Sequence, residues 1–161
     1  TRIRNAIMVR HDSVLIPVGG GGLVAGVAGY LKSVDENIEI IGCQPENSCV
    51  MYESIKAGKI IEMDSKPTIS DGTAGGIEPG SITFDQCRKY IDDFILPTES
   101  EITEAIKLIL EKHYLAVEGA AALQVASFIK EKNRFKGKTV VLVLSGKKIG
   151  LDTLKKVLKE D

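Results

Sequence analysis

Ser13–Val18 reads SVLIPV, a short and almost continuous apolar run, and four glycines stand between it and the apolar, helix-compatible stretch Leu23–Ser33. Few folds accept that order. An apolar run without polar alternation suits a strand covered on both faces, the usual condition of a parallel sheet. Glycines let the backbone approach a ligand closely and adopt positive φ, so several N–H groups can converge on one anion. The helix behind them adds the partial positive charge of its N-terminus and its unpaired donors. Gly19, Gly20, Gly21 and Gly22 are therefore expected to hold a phosphate without help from lysine or arginine. The position also fits, because open α/β sheets bind ligands at the carboxyl ends of their strands.

The remaining pattern supports such a sheet. Ile38–Gln44 (IEIIGCQ) predicts a second apolar strand, and Asn47–Ala57 a helix stopped by Gly58. A weaker pair comes next, a helix over Phe84–Lys89 and a strand over Tyr90–Leu96. Thr98 or Ser100 can cap a helix over Glu99–His113, which carries acidic residues in its first turn. Glu118–Lys132 predicts an alanine-rich helix with Ala121, Leu123, Ala126 and Phe128 toward the core. Thr139–Leu144 (TVVLVL) is the clearest strand, and Leu151–Leu158 a last helix. Strands alternating with helices imply an α/β fold of three layers, an open, mostly parallel sheet with helices on both faces. Ile60–Ser81 is a long irregular stretch rich in Gly, Pro, Thr and Ser, the kind of loop that is usually functional. Residues 1–12 show no clear pattern and are left unplaced, while residues 13–161 read as a single domain.

Composition removes several classes of function. A chain of 161 residues, 43% hydrophobic and 27% charged, can bury one core. Its net charge of −1 provides no footprint for nucleic acid or an anionic membrane. No apolar run approaches the ~20 residues of a membrane span, and no basic segment leads into an apolar secretion signal. The expectation is a cytoplasmic protein. Cys43, Cys49 and Cys87 are an odd number without C-x-x-C spacing or a nearby histidine, so packing thiols are expected rather than disulfides or a metal site. His11 and His113 lie far apart, with His113 at an exposed helix end, which leaves a histidine-based triad without support.

The residues after the glycines narrow the type of phosphate. A Walker loop needs G-K-[ST], and no lysine succeeds the glycines here. Gly20, Gly22 and Ala25 fit the letters of the dinucleotide fingerprint, but the acidic candidates Asp35, Glu36 and Glu39 end no clear strand. A dehydrogenase is thus a weaker alternative.

Beyond the loop, PVGGGGL, AGVAGYLK, IIGCQPE, ISDGTAGGIEPGSITF, VEGAAALQVA and VVLVLSG occur in this order between about Ser13 and Ile149. This series resembles the serine/threonine dehydratases, or threonine ammonia-lyases. They are pyridoxal-phosphate enzymes of fold type II, related to the tryptophan synthase β chain. The resemblance implies pyridoxal 5'-phosphate as cofactor, with Gly19, Gly20, Gly21, Gly22 and Leu23 around its phosphate. It implies that Ser145 bonds the pyridine nitrogen, Glu118 stands beside the ring and Gly76 lies in the loop passing the ring's edge. The implied reaction is β-elimination from threonine or serine, giving 2-oxobutanoate or pyruvate and ammonia, by a homo-oligomeric enzyme acting on a small amino acid. Each residue also has a plainer reading. Ser145 can end a strand, Glu118 can offset a helix dipole, and Gly76 can serve a turn. Asp71 and Gly72 can form a supporting turn.

The departures from the family pattern are equally specific. Ser145-Gly146 is followed by Lys147-Lys148 where the family has a small residue and asparagine. Gln44 stands where racemase-like relatives place an acidic residue near a metal, and a neutral amide is a poor principal ligand for a hard cation. No S-F-K-x-R-G-like motif carrying the Schiff-base lysine is present, and Lys32, Lys56, Lys107 and Lys147 match nothing catalytic. The expectation is the C-terminal portion of such an enzyme, inactive by itself. The alternative is a non-catalytic phosphate- or pyridoxal-phosphate-binding module, or a truncated structural one.

Overall fold

The computed structural model describes residues 11–159. Four parallel strands form one sheet in the order β3-β2-β1-β4, with β1 over Ser13–Pro17, β2 over Glu39–Cys43, β3 over Asp93–Ile95 and β4 over Val140–Leu142. Six α-helices among the described residues accompany them: α1 (Gly22–Val34), α2 (Val50–Ala57), α3 (Ile82–Tyr90), α4 (Glu99–His113), α5 (Gly119–Lys130) and α6 (Leu151–Lys159).

Strand β1 is buried along its whole length, as its apolar run requires. Its side chains alternate between two cores. Leu15 joins Ile41 and Cys43 of β2 beneath α4, α5 and α6. Val14 and Ile16 join Ile40 of β2 beneath α1, α2 and α3. Helices therefore cover both faces, and the expected three-layer arrangement is present. No helix among the described residues is long and apolar enough to cross a membrane.

Local signals set two element ends in particular. Gly58 stops α2 in the left-handed conformation at φ 73°. Thr98 caps α4 through a complete capping box with Glu101, so of the two candidates Thr98 rather than Ser100 takes the role. Ala121, Leu123 and Ala126 are buried on α5, while Phe128 is half-buried and stacks on Phe135. All three cysteines are free and buried, and His113 is exposed in the last turn of α4. Burial is the main influence on Cys43 and pushes its thiol up to about 12, which keeps it a neutral packing group.

Two strands are clearly shorter than expected. The first is β3: Tyr90–Leu96 yields only Asp93–Ile95, with Tyr90 as the last residue of α3. TVVLVL predicts a strand over Thr139–Leu144, yet β4 extends only over Val140–Leu142. Among the described residues β4 is hydrogen-bonded on one side only, to β1, and its residues are half-buried. Apolar composition alone does not tell an edge strand from a central one.

At the opposite end of the sheet from the glycines, Glu39 of β2 accepts bonds from Ser13 Oγ and Arg134, both at 2.6 Å, and from Lys138 at 3.4 Å. Arg134 also pairs with Asp93 of β3 at 2.6 Å. Burial raises the Glu39 carboxyl, but the Ser13 hydroxyl, Arg134 and Lys138 outweigh it and hold its pKa at about 2. A lowered native pKa adds stability above the unfolded carboxylate value and loses it as pH falls toward 2. Urea unfolding of wild type and Glu39→Gln should therefore differ most above about pH 5 and converge on acidification. Leu15→Ala, which empties a fully buried site on the central strand, should lower unfolding stability by about 2–5 kcal/mol, read from the same curves.

Candidate functional site

The glycine loop leaves β1 at its carboxyl end and enters α1 directly. Gly21 occupies the N-cap with φ 87°, a conformation that L side chains avoid. A Cβ on Gly21 would also stand 2.7 Å from Cys87 Sγ and 2.9 Å from the Met51 methyl group. Gly19 packs against Thr73, where an added Cβ would lie 3.2 Å from the backbone. Gly20 and Gly22, by contrast, face open space. Two glycines thus let the loop fold against its support, and two leave room in front of it.

Sheet order supplies the second wall. Strand β4 runs parallel beside β1, with Leu15 opposite Leu142, so the segments leaving their carboxyl ends emerge side by side. Ser145 lies three residues past the end of β4 and reaches the same cavity as the glycines. That cavity, of about 210 Å³, is lined by Pro17, the four glycines, Leu23, Gly72, Thr73, Glu118, Ala120 and Ser145. It brings together seven of the eight residues singled out from sequence. Gly76 is exposed and does not line it. From the same irregular segment, Gly72 and Thr73 do.

Residues 60–81 run through this region as a fastened loop rather than a free one. Asn47 Nδ2 donates to Pro67 O at 2.7 Å, and the Glu99 carboxylate accepts from the Ile69 N–H at 2.7 Å. Gly119 permits close approach of Ile69, since any side chain there would collide with the Ile69 carbonyl. Asp71 Oδ1 accepts the Gly72 N–H at 2.8 Å in a single 3₁₀ turn, Asp71–Thr73. Ser70 and Thr73 hydroxyls lie 2.6 Å apart beneath it, both buried. Asp71 therefore supports the turn, and Gly72 reaches the cavity.

Glu118 is the N-cap of α5, yet its side chain makes no capping bond. Its carboxylate turns instead to the segment after β4 and accepts the Lys148 N–H at 3.0 Å. Its own N–H donates to Gly146 O at 3.4 Å. A side chain at Gly146 would run into the Glu118 carboxylate, which would have to turn away from its present position. Lys147 and Lys148 are both exposed and absent from the cavity lining. Gln44 is buried, with Oε1 accepting the Tyr52 N–H at 2.8 Å. No group of three or more His, Cys, Asp or Glu among the described residues is placed to hold a metal ion.

The electrostatics suit an anion on the glycine side. No acidic residue occupies the first turn of α1, so its N-terminal donors are uncompensated. Beneath the loop, burial pushes the Cys87 thiol up to about 12, so no thiolate opposes a bound anion. The single carboxylate of the lining, Glu118, belongs to the other wall. Thr73 and Ala120 were not singled out from sequence. Their participation depends on the fastening of residues 67–73 against α5, which has no local signature.

A phosphate-bearing cofactor with a small ring fits this arrangement: open glycine backbone at one end, a hydroxyl and a carboxylate at the other. Comparison with known proteins agrees. The L-threonine ammonia-lyase of Thermotoga maritima is 37% identical over 149 residues, covering 92% of this chain and 37% of that protein. Threonine deaminase isoform 2 from Solanum lycopersicum superposes with a TM-score of 0.88 at 31% identity, over 96% of this chain and 45% of that one. Serine racemase from Dictyostelium discoideum gives 0.81 at 32% identity, over 92% and 48%. This chain thus spans less than half the length of each. The model of the pyridoxal-phosphate dependent enzymes matches residues 3–146. That match takes in both walls of the cavity, and this chain belongs to the family of pyridoxal-phosphate dependent enzymes.

Proposed function

We propose that this chain supplies the phosphate-holding part of the cofactor site in a threonine/serine ammonia-lyase. The reading is carried by the meeting of the glycine loop with Ser145 and Glu118 in one cavity, together with relatives named as L-threonine ammonia-lyase and threonine deaminase. In it, N–H groups of Gly19, Gly20, Gly21, Gly22 and Leu23 hold the phosphate, and the half-charge of α1 favours its negative form. Ser145 offers its hydroxyl to the ring nitrogen. A hydroxyl, unlike a carboxylate, does not force that nitrogen to keep a proton. Glu118 borders the ring and keeps the segment 145–148 in place through the Lys148 N–H. Gly76 belongs to the loop passing the ring's edge.

Bound pyridoxal phosphate supplies the electron sink that lets an amino acid lose its α-proton and then its β-hydroxyl. The parent reaction is then conversion of threonine to 2-oxobutanoate, or serine to pyruvate, with release of ammonia. None of the lysines of these 161 residues stands in the S-F-K-x-R-G-like motif that the family uses for cofactor attachment. This chain's own part is binding and orientation.

Purified chain given pyridoxal phosphate and threonine should release no ammonia, while inorganic phosphate at millimolar levels should raise its melting temperature. Ammonia release would overturn the assignment of the attaching lysine outside this sequence. Absence of any phosphate effect would overturn the loop's role. A second reading, a phosphate-binding module without chemistry, draws on Lys147-Lys148 in the place of the usual small residue and asparagine. It expects inorganic phosphate to bind as tightly as pyridoxal phosphate, whereas the first expects a clear preference for the cofactor. Gly21→Ala, which combines a left-handed backbone with a collision at Cys87 and Met51, should cost about 2–4 kcal/mol in urea unfolding.

A further inference from the structure

A loop of four glycines has donors but no side chains to aim them. Two of its peptide planes matter here. The Gly21 carbonyl accepts the Ala25 N–H at 2.9 Å as the first bond of α1, so the helix orients the plane between Gly21 and Gly22. The plane between Gly20 and Gly21 has no such bond. Gly20 is exposed, has open space around it and carries the full conformational freedom of glycine.

Thr83 supplies the missing constraint. It lies in the first turn of α3, outside the cavity lining, and its hydroxyl donates to Gly20 O at 2.6 Å. Ser81 Oγ lies 2.7 Å from Thr83 Oγ1. A carbonyl only accepts, so the single Thr83 proton is committed to Gly20, and Ser81 must be the donor between the two hydroxyls. The result is a directed relay from Ser81 through Thr83 to Gly20, each bond polarising the next. Among the described residues no peptide is cis. In a planar trans peptide the N–H points opposite to the C=O. Holding the Gly20 carbonyl back against α3 therefore turns the Gly21 N–H forward, away from Thr83.

We propose that Thr83, backed by Ser81, is a positioning residue that holds the Gly20–Gly21 peptide with its N–H directed at the bound phosphate. The assignment rests on the phosphate reading of the loop given above. It makes α3, at the end of the irregular segment, part of the anion site without contact with the anion.

The test compares the full 161-residue chain with Thr83→Val and Thr83→Ser by two NMR readouts. One is the residual dipolar coupling of the Gly21 N–H, which reports the direction of that bond without any ligand. The other is the dissociation constant for inorganic phosphate from amide shifts. Thr83→Val should change the Gly21 coupling and weaken phosphate about fivefold or more, the scale of one hydrogen bond. Thr83→Ser should keep the wild-type coupling and stay within about twofold in affinity. A purely structural threonine would lower melting temperature while leaving both readouts of the folded protein unchanged.

An unchanged Gly21 coupling in Thr83→Val overturns the proposal whether or not phosphate binds. A changed coupling with unchanged phosphate affinity overturns it as well. If wild type binds no phosphate, the anion role of the loop fails, and a changed coupling still supports Thr83 as the holder of that peptide. Should Thr83→Val fail to fold, Thr83→Ala gives the same two readouts.

Discussion

Everything at the cavity depends on β1 being sandwiched between two cores. Val14 and Ile16 point into one and Leu15 into the other, and all three are essentially inaccessible to water. Deep burial on both faces fixes where this strand ends and in which direction its chain leaves. Its parallel neighbour β4 is registered against it by backbone bonds, so the segment after β4 must emerge beside the glycine loop. Side-chain chemistry from distant parts of the chain is thereby set side by side through backbone pairing alone. The glycines and Ser145 need no direct bond to each other to share a site.

A second layer of support comes from contacts in which glycine is required for close approach. Gly146 makes room for the Glu118 carboxylate, Gly119 for the Ile69 carbonyl, and Gly21 for Cys87 and Met51. At Gly119 the obstacle is backbone, so a side chain there would push the segment at Ile69 away, whereas at Gly146 and Gly21 it is side chains that would have to move. The abundance of glycine therefore serves two separate needs: donors exposed to a ligand and junctions between irregular segments. Only the first is visible as a run of identical letters.

The legible parts of the sequence share a physical reason: their signals are local. The bounds of Glu99–His113 match expectation because Thr98, Glu101 and the acidic first turn act within one turn of helix. Gly58 ends its helix for the same reason. The helix start at Gly22 and the strand start at Ser13 lie within a residue of expectation. Strand β4 is shorter than its composition implies because a ladder depends on neighbours, and among the described residues β4 has only β1. Thr83 carries no local signal because its partner Gly20 lies 63 residues away. Gly72 and Thr73 reach the cavity through fastening by Asn47, Glu99 and the bare surface of Gly119, none of them near in sequence.

By itself, then, the sequence determined a parallel α/β fold, a glycine loop suited to phosphate, and an ordered set of motifs that points to pyridoxal-phosphate enzymes. Those properties arise from apolar runs, the conformational range of glycine and the order of segments, all carried by neighbouring residues. Tertiary structure alone decided which residues of the long irregular segment meet the loop and that the Glu118 carboxylate holds the backbone after Ser145. It also decided that a hydroxyl on α3 orients a peptide of the glycine loop. Hydrogen bonds and close packing between segments far apart in the chain made those decisions, and their partners exist only once the sheet has brought the segments together.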